Sequence, residues 1–148
     1  MNISQRTQRE LSVQSGNNLA EDVDLLASMI GEAIAAKVAW VSQVETMVQQ
    51  EQGEEARETL RLIRLDEVKH IRLLRELGNV SNLPKLEGVA SPQSPLTYSK
   101  AAQLKLKSGE FVRRIYYNVD DTPTRDTLFE IICDDTNNAI RFTLMAQT

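Results

Sequence analysis

The chain has 148 residues, 41% of them hydrophobic and 26% charged, the balance of one folded domain and not of a disordered protein. A formal charge of -4 and a pI near 5.1 leave no basic footprint, which excludes nucleic acid as a partner. A single cysteine, Cys133, excludes an internal disulfide and any paired-cysteine zinc, iron–sulfur or redox motif.

The opening MNISQRTQRE has no apolar signal core, and no continuous apolar run approaches a membrane span. The expectation is a cytoplasmic protein with no membrane partner. Residues 1–18 are polar and aperiodic, which predicts a flexible N-terminal arm ahead of a single domain over 19–148.

From Leu19 onward apolar residues recur at helical spacing through Val23, Leu26, Ile30, Ala33, Val41, Val44 and Val48, predicting a first helix over about 19–51. Gly53 interrupts it. A second pattern, Leu60, Ile63, Ile71, Leu74 and Leu77, closes at Gly78, as a helix C-terminus should. The turn between them is short, so the two helices form an antiparallel hairpin. The acids after Gly53 favour the start of the second helix electrostatically.

Residues 79–96, NVSNLPKLEGVASPQSPL, hold three of the four prolines and no periodicity, and read as a long connection. An extended link of that length reaches roughly 60 Å, against about 38 Å for a 25-residue helix, so it can cross a bundle end to end. A third helix over about 97–119 carries Leu104, Phe111, Ile115 and Val119. The fourth, about 124–147, starts behind Thr122-Pro123, with proline in the first turn. The predicted fold is all-α: two antiparallel hairpins joined by a long crossover, the connectivity of ferritin-like four-helix bundles.

The two hairpins share short sequence matches, Ile30–Ala33 against Ser108–Phe111 and Leu65–His70 against Cys133–Asn138. Charged residues fall inside the apolar stripes. Glu67 and His70 lie on the face of Leu60, Ile63, Ile71 and Leu74, and Asp135 and Asn138 lie with Leu128, Ile131, Ala139 and Phe142. Glu32 sits among Ser28, Met29, Ala35, Ala36 and Ala39, and is expected to point inward as well. Uncompensated carboxylates inside a bundle cost several kcal/mol each, and a bound cation is a simple remedy. Glu and His at i and i+3 are able to hold one ion, and mixed oxygen and nitrogen ligation suits iron or manganese, with zinc as an alternative.

On Glu67-x-x-His70 and the four-helix pattern, residues 19–147 resemble the ferritin-like, rubrerythrin-type di-iron carboxylate proteins. The resemblance implies metal ligands at Glu32, Glu67, His70, Glu110, Asp135 and Asn138, two iron ions, and redox activity such as ferrous iron oxidation or peroxide reduction. The last pair departs from the family, which has Glu-x-x-His there, and the rubredoxin domain of full rubrerythrins is absent. An external electron donor is implied.

Three functional readings follow. The first is a di-iron oxidoreductase. The second is a bundle that kept the fold, lost catalysis and serves as a structural or regulatory homodimer, with Asp135 and Asn138 as its main support. In the third, two copies of Glu67-x-x-His70 meet across a twofold axis to build one site. Salt bridges to arginine compete with metal for Glu110.

Overall fold

The structure is a computed structural model. It describes residues 3–78 and 96–148, and for residues 3–24 the helical backbone alone. The described residues form four helices, α1 (Ile3–Gln50), α2 (Glu54–Gly78), α3 (Tyr98–Tyr117) and α4 (Thr122–Ala146), with no strand among them. The chain is therefore all-α and folds as a four-helix bundle. α1 packs mainly along α2 and α3 mainly along α4, with lesser contacts between α1 and α3 and between α2 and α4.

The first helix starts earlier than its apolar pattern predicts. α1 begins at Ile3, ahead of the start predicted at about residue 19 and within the span expected as a flexible arm. Its Gln, Arg, Glu and Leu residues favour helix, and no proline stops it before Leu19. Helical propensity thus continues upstream of the periodic apolar stripe. The side chains of residues 1–24 lie outside the described residues, as do residues 79–95 of the expected crossover.

The other ends follow their local chemistry. Glu54 and Glu55 occupy the first turn of α2, where the helix dipole favours negative charge. Thr97 caps α3 by accepting from the Lys100 amide at 3.1 Å. Asp121 caps α4 by accepting from the Thr124 amide at 3.0 Å, with proline in the first turn behind it.

The core divides into two apolar clusters. One gathers Ile30, Ala33 and Ile34 of α1 with Ile71 and Leu74, Val112 and Ile115, and Leu128 and Ile131. The other gathers Trp40, Val44 and Met47 with Leu60 and Ile63, Ala101 and Ala102, and Phe142. Lys37, Glu67, His70, Lys105, Asp135 and Asn138 are also buried, and by their positions along the helices they form a polar layer between the two clusters.

The buried positions repeat in one register. Adding the 68-residue interval that separates Trp40 from Ser108 carries Ala33 to Ala101, Val44 to Val112, Met47 to Ile115, Leu60 to Leu128, Ile63 to Ile131 and Leu74 to Phe142. Lys37 falls on Lys105, Glu67 on Asp135 and His70 on Asn138 in that register. The expected match of Leu65–His70 with Cys133–Asn138 lies in it. The match of Ile30–Ala33 with Ser108–Phe111 does not, and is corrected: a shared Gly-Glu pair is too short a signal to fix register.

Leu25–Gln50 of α1 is long and apolar enough to cross a bilayer by length and composition, although Glu32, Lys37 and Glu45 interrupt its apolar run. The same helix buries the charged Lys37 and supplies both core clusters.

Candidate functional site

Four charged side chains meet at the polar layer, one from each helix. Lys37 of α1 hydrogen-bonds the Asp135 carboxylate of α4 and lies 3.4 Å from Glu67 of α2. Lys105 of α3 hydrogen-bonds Glu67 and places its ammonium 2.8 Å from Asp135 Oδ1. Both ammoniums thus touch both carboxylates. The four charges sum to zero within a buried layer, while Glu67 Oε2 and Asp135 Oδ2 have no hydrogen-bond partner.

Electrostatics bind the four together. Burial drives the Lys37 pKa below the ordinary lysine range, with the neighbouring Lys105 charge adding to it against Glu67 and Asp135. Burial also works against the Lys105 ammonium, but Glu67 and Asp135 outweigh it and hold its pKa up. Asp135 would rise on burial, yet the Lys37 and Lys105 charges pull it below the usual carboxylate range. Trp40 flanks the group, its ring centroid 5.2 Å from Lys105 Nζ in cation–π range, and its indole donates to Ser108 Oγ at 3.0 Å. Ser108 in turn donates to the Lys105 carbonyl at 3.0 Å, tying the indole to the helix turn that carries the lysine.

His70 breaks the symmetry of the layer. Its Nε2 lies 3.0 Å from Asp134 Oδ2, and since a carboxylate only accepts, Nε2 carries the proton of the neutral ring. Burial first, then the Lys37 charge, push the His70 pKa down, against the bond to Asp134. Its Nδ1 has no hydrogen-bond partner and lies 3.7 Å from Asp135 Oδ1. Lys69 donates to Asp134 at 2.6 Å and continues the chain of contacts to the bundle surface. Opposite His70 in the repeat, Asn138 Oδ1 accepts from Arg141 at 2.7 Å, and Arg141 also reaches Asp66 at 3.2 Å.

The six expected metal ligands divide. Glu67, His70, Asp135 and Asn138 are buried together as expected. Glu32 is not: its side chain is 53% exposed and lies 3.7 Å from the half-exposed Arg114, which corrects the inward orientation expected for it. Small alanines surround Glu32 in sequence, but the buried stripe of α1 runs through Ile30, Ala33, Ile34, Lys37, Val41 and Val44, one step around the helix. Glu110 is exposed on α3, where the buried stripe runs through Ala101, Ala102, Lys105, Gly109 and Val112.

Lys37 and Lys105 therefore stand at the inward positions of α1 and α3 where a carboxylate was expected. Their stripe spacing was the available signal. Among the described residues, one group has the spacing to hold an ion: ligand atoms of Glu67, His70 and Asp135 lie within 4.8 Å of one another. With two acids, one imidazole and two ammoniums in the layer, the donor set does not fit a pair of metal ions.

Compared with family models, curated proteins and solved structures, the chain matches none.

Proposed function

We propose that this chain is a ferritin-like bundle in which a lysine–carboxylate tetrad stands where a di-metal centre would be, and that it serves as a structural or regulatory homodimer without redox catalysis. The tetrad of Lys37, Glu67, Lys105 and Asp135 carries this reading, because it neutralises the buried acids that otherwise argue for metal.

Helix pairings support the ferritin-like part. Glu45 pairs with Arg64 and Lys37 with Glu67, so α1 and α2 run antiparallel; Tyr116 stacks with Arg125 and Lys105 pairs with Asp135, so α3 and α4 do too. Two such hairpins joined by the connection over 79–96 have ferritin-like order. The homodimer is supported by Leu62, Leu65, Phe129, Ile140 and Leu144, large apolar side chains exposed on α2 and α4. Leu62 and Leu144 share one groove. A cytoplasmic setting, supported by the single unpaired Cys133, belongs to the same reading.

The competing reading is an ion on Glu67, His70 and Asp135, favoured by their spacing. Glu67 Oε2, His70 Nδ1 and Asp135 Oδ2, each without a hydrogen-bond partner, would be its donors, beside the Lys37 and Lys105 ammoniums. Elemental analysis after anaerobic loading with ferrous iron, manganese or zinc, with oligomer mass recorded alongside, separates the two. No bound metal on a dimer is expected. Stoichiometric metal lost on His70→Ala overturns the metal-free reading.

A further inference from the structure

The tetrad holds a reactive pair as well as a neutral one. Lys37 Nζ rests against the Asp135 carboxylate, Glu67 Oε2 lies 3.4 Å from the same nitrogen, and the Lys105 ammonium lies 2.8 Å from Asp135 Oδ1. Lys37 is 2% exposed, Asp135 3%, and Glu67 and Lys105 are fully buried, so water is excluded. We infer that Lys37 and Asp135 condense to an intramolecular isopeptide bond, a covalent staple between α1 and α4. The inference rests on the site being a lysine–carboxylate tetrad and not a metal centre.

The constellation supplies each part that amide formation needs. The nucleophile is the neutral amine of Lys37, whose ammonium burial disfavours. Glu67 relays one proton from the Lys37 ammonium to Oδ2 of Asp135, turning ammonium and carboxylate into amine and acid without changing the net charge of the layer. The freed nitrogen lone pair attacks Asp135 Cγ, the C–N bond forms, and the carbonyl electrons move onto Oδ1. Lys105 stabilises that oxyanion from 2.8 Å.

Oδ2 of Asp135 has no hydrogen-bond partner and is the leaving oxygen. Already carrying the relayed proton, it receives a second one shed by the nitrogen, the C–Oδ2 bond breaks, the Oδ1 carbonyl re-forms, and one water departs. Ammonium plus carboxylate become amide plus water, with no oxidant or co-reactant. Lys105 and Glu67 remain as a single buried pair, so one buried positive charge and one buried negative charge disappear. Held contact replaces the encounter of two groups in solution, an advantage that reaches about 10⁵–10⁸ M in effective concentration for well-oriented pairs.

The test is the denatured intact mass of the full chain, followed by tryptic peptide sequencing by mass spectrometry; trypsin does not cut after an acylated lysine. Lys37→Arg keeps the charge and the ion pair but lacks the nucleophile, and circular dichroism verifies that both proteins fold. The expected result is a wild-type chain lighter by one water than its sequence mass, a cross-linked peptide joining Lys37 to Asp135, and full mass in Lys37→Arg. Full mass in folded wild type, still full after prolonged incubation at neutral pH, overturns the inference, as does a deficit that persists in Lys37→Arg. Metal content on the same sample distinguishes the failures: full mass without metal sinks the amide alone, and full mass with bound metal sinks the tetrad reading with it.

Discussion

Trp40 and Ser108 occupy the same place in the two halves of the chain, 68 residues apart, and are hydrogen-bonded to each other at 3.0 Å. A bond between counterparts joins α1 to α3 at the edge of the polar layer, beside Lys105. Neither residue repeats the other chemically. The indole supplies the donor and the hydroxyl the acceptor, so this contact needs the two halves to differ.

Removing that bond has a defined cost. Trp40→Phe keeps a ring near Phe142, whose centroid lies 5.9 Å from the Trp40 ring, but loses the donor and weakens the contact with Lys105. A net loss of about 1–2 kcal/mol is expected from the hydrogen bond and cation–π contact together. Ser108→Ala is expected to lose about 1 kcal/mol, with the double variant little worse than Trp40→Phe. Urea unfolding followed by circular dichroism measures all three; strictly additive losses would show that the two side chains act separately.

The tetrad makes a sharper prediction about charge. Lys105→Met leaves Glu67 and Asp135 facing Lys37 alone, and removing one partner of a buried charge set costs about 3–5 kcal/mol. Adding Glu67→Leu restores neutrality, because Lys37 and Asp135 remain as one pair. The double variant is expected to recover most of the loss. Urea midpoints compare them. A double variant less stable than Lys105→Met would mean that packing, not charge balance, governs the layer.

How much of this is legible in sequence depends on what each residue type does by default. Four helices and their turns follow from apolar spacing, glycine, proline and acidic first turns. Glu67, His70, Asp135 and Asn138 are legible because Ile63 and Ile131, buried one turn earlier, define their face. Lys37 and Lys105 are not, since lysine is almost always a solvated surface residue and its stem tolerates either setting. Yet Ala33 and Ile34 before Lys37, and Val41 after it, mark the same stripe. Glu32 misleads in the opposite direction because alanine neighbours do not define a face. The 68-residue register is legible in sequence only where Leu65–His70 match Cys133–Asn138, and burial extends it to the rest of the helices.

Acid sensitivity separates His70 from the carboxylates. The unfolded chain protonates histidine near about pH 6.5, while burial and Lys37 hold the folded pKa lower. Between those two values the unfolded state binds more protons, so stability falls as pH is lowered through that window. While its carboxylate is not condensed with Lys37, Asp135, whose folded pKa is depressed, keeps its contribution above about pH 3.9 and loses it as pH falls through the lower folded value. His70→Asn, the residue its counterpart position already holds, is expected to flatten the slope below about pH 6.5 and leave the loss below about 3.9. Urea midpoints across a pH series check this; equal slopes in both proteins below neutrality would rule out His70 as the titrating group.

The final prediction turns the lysines themselves into the test. Because Lys37 and Lys105 face Glu67 and Asp135 from α1 and α3, Lys37→Glu with Lys105→Glu gathers four carboxylates, His70 and Asn138 in one buried layer. Without metal, four acids in contact repel and lose hydration, so the variant is expected to be strongly destabilised and to take up protons on folding. Divalent metal relieves both costs. Iron, manganese or zinc at one hundred times its dissociation constant is expected to add about 2.7 kcal/mol to the variant by mass action and nothing to wild type. Thermal unfolding with and without metal reads the difference. A variant that melts at the same temperature in both conditions would mean that the layer lacks the geometry for metal whatever its charge, and that the lysines are not stand-ins for ligands.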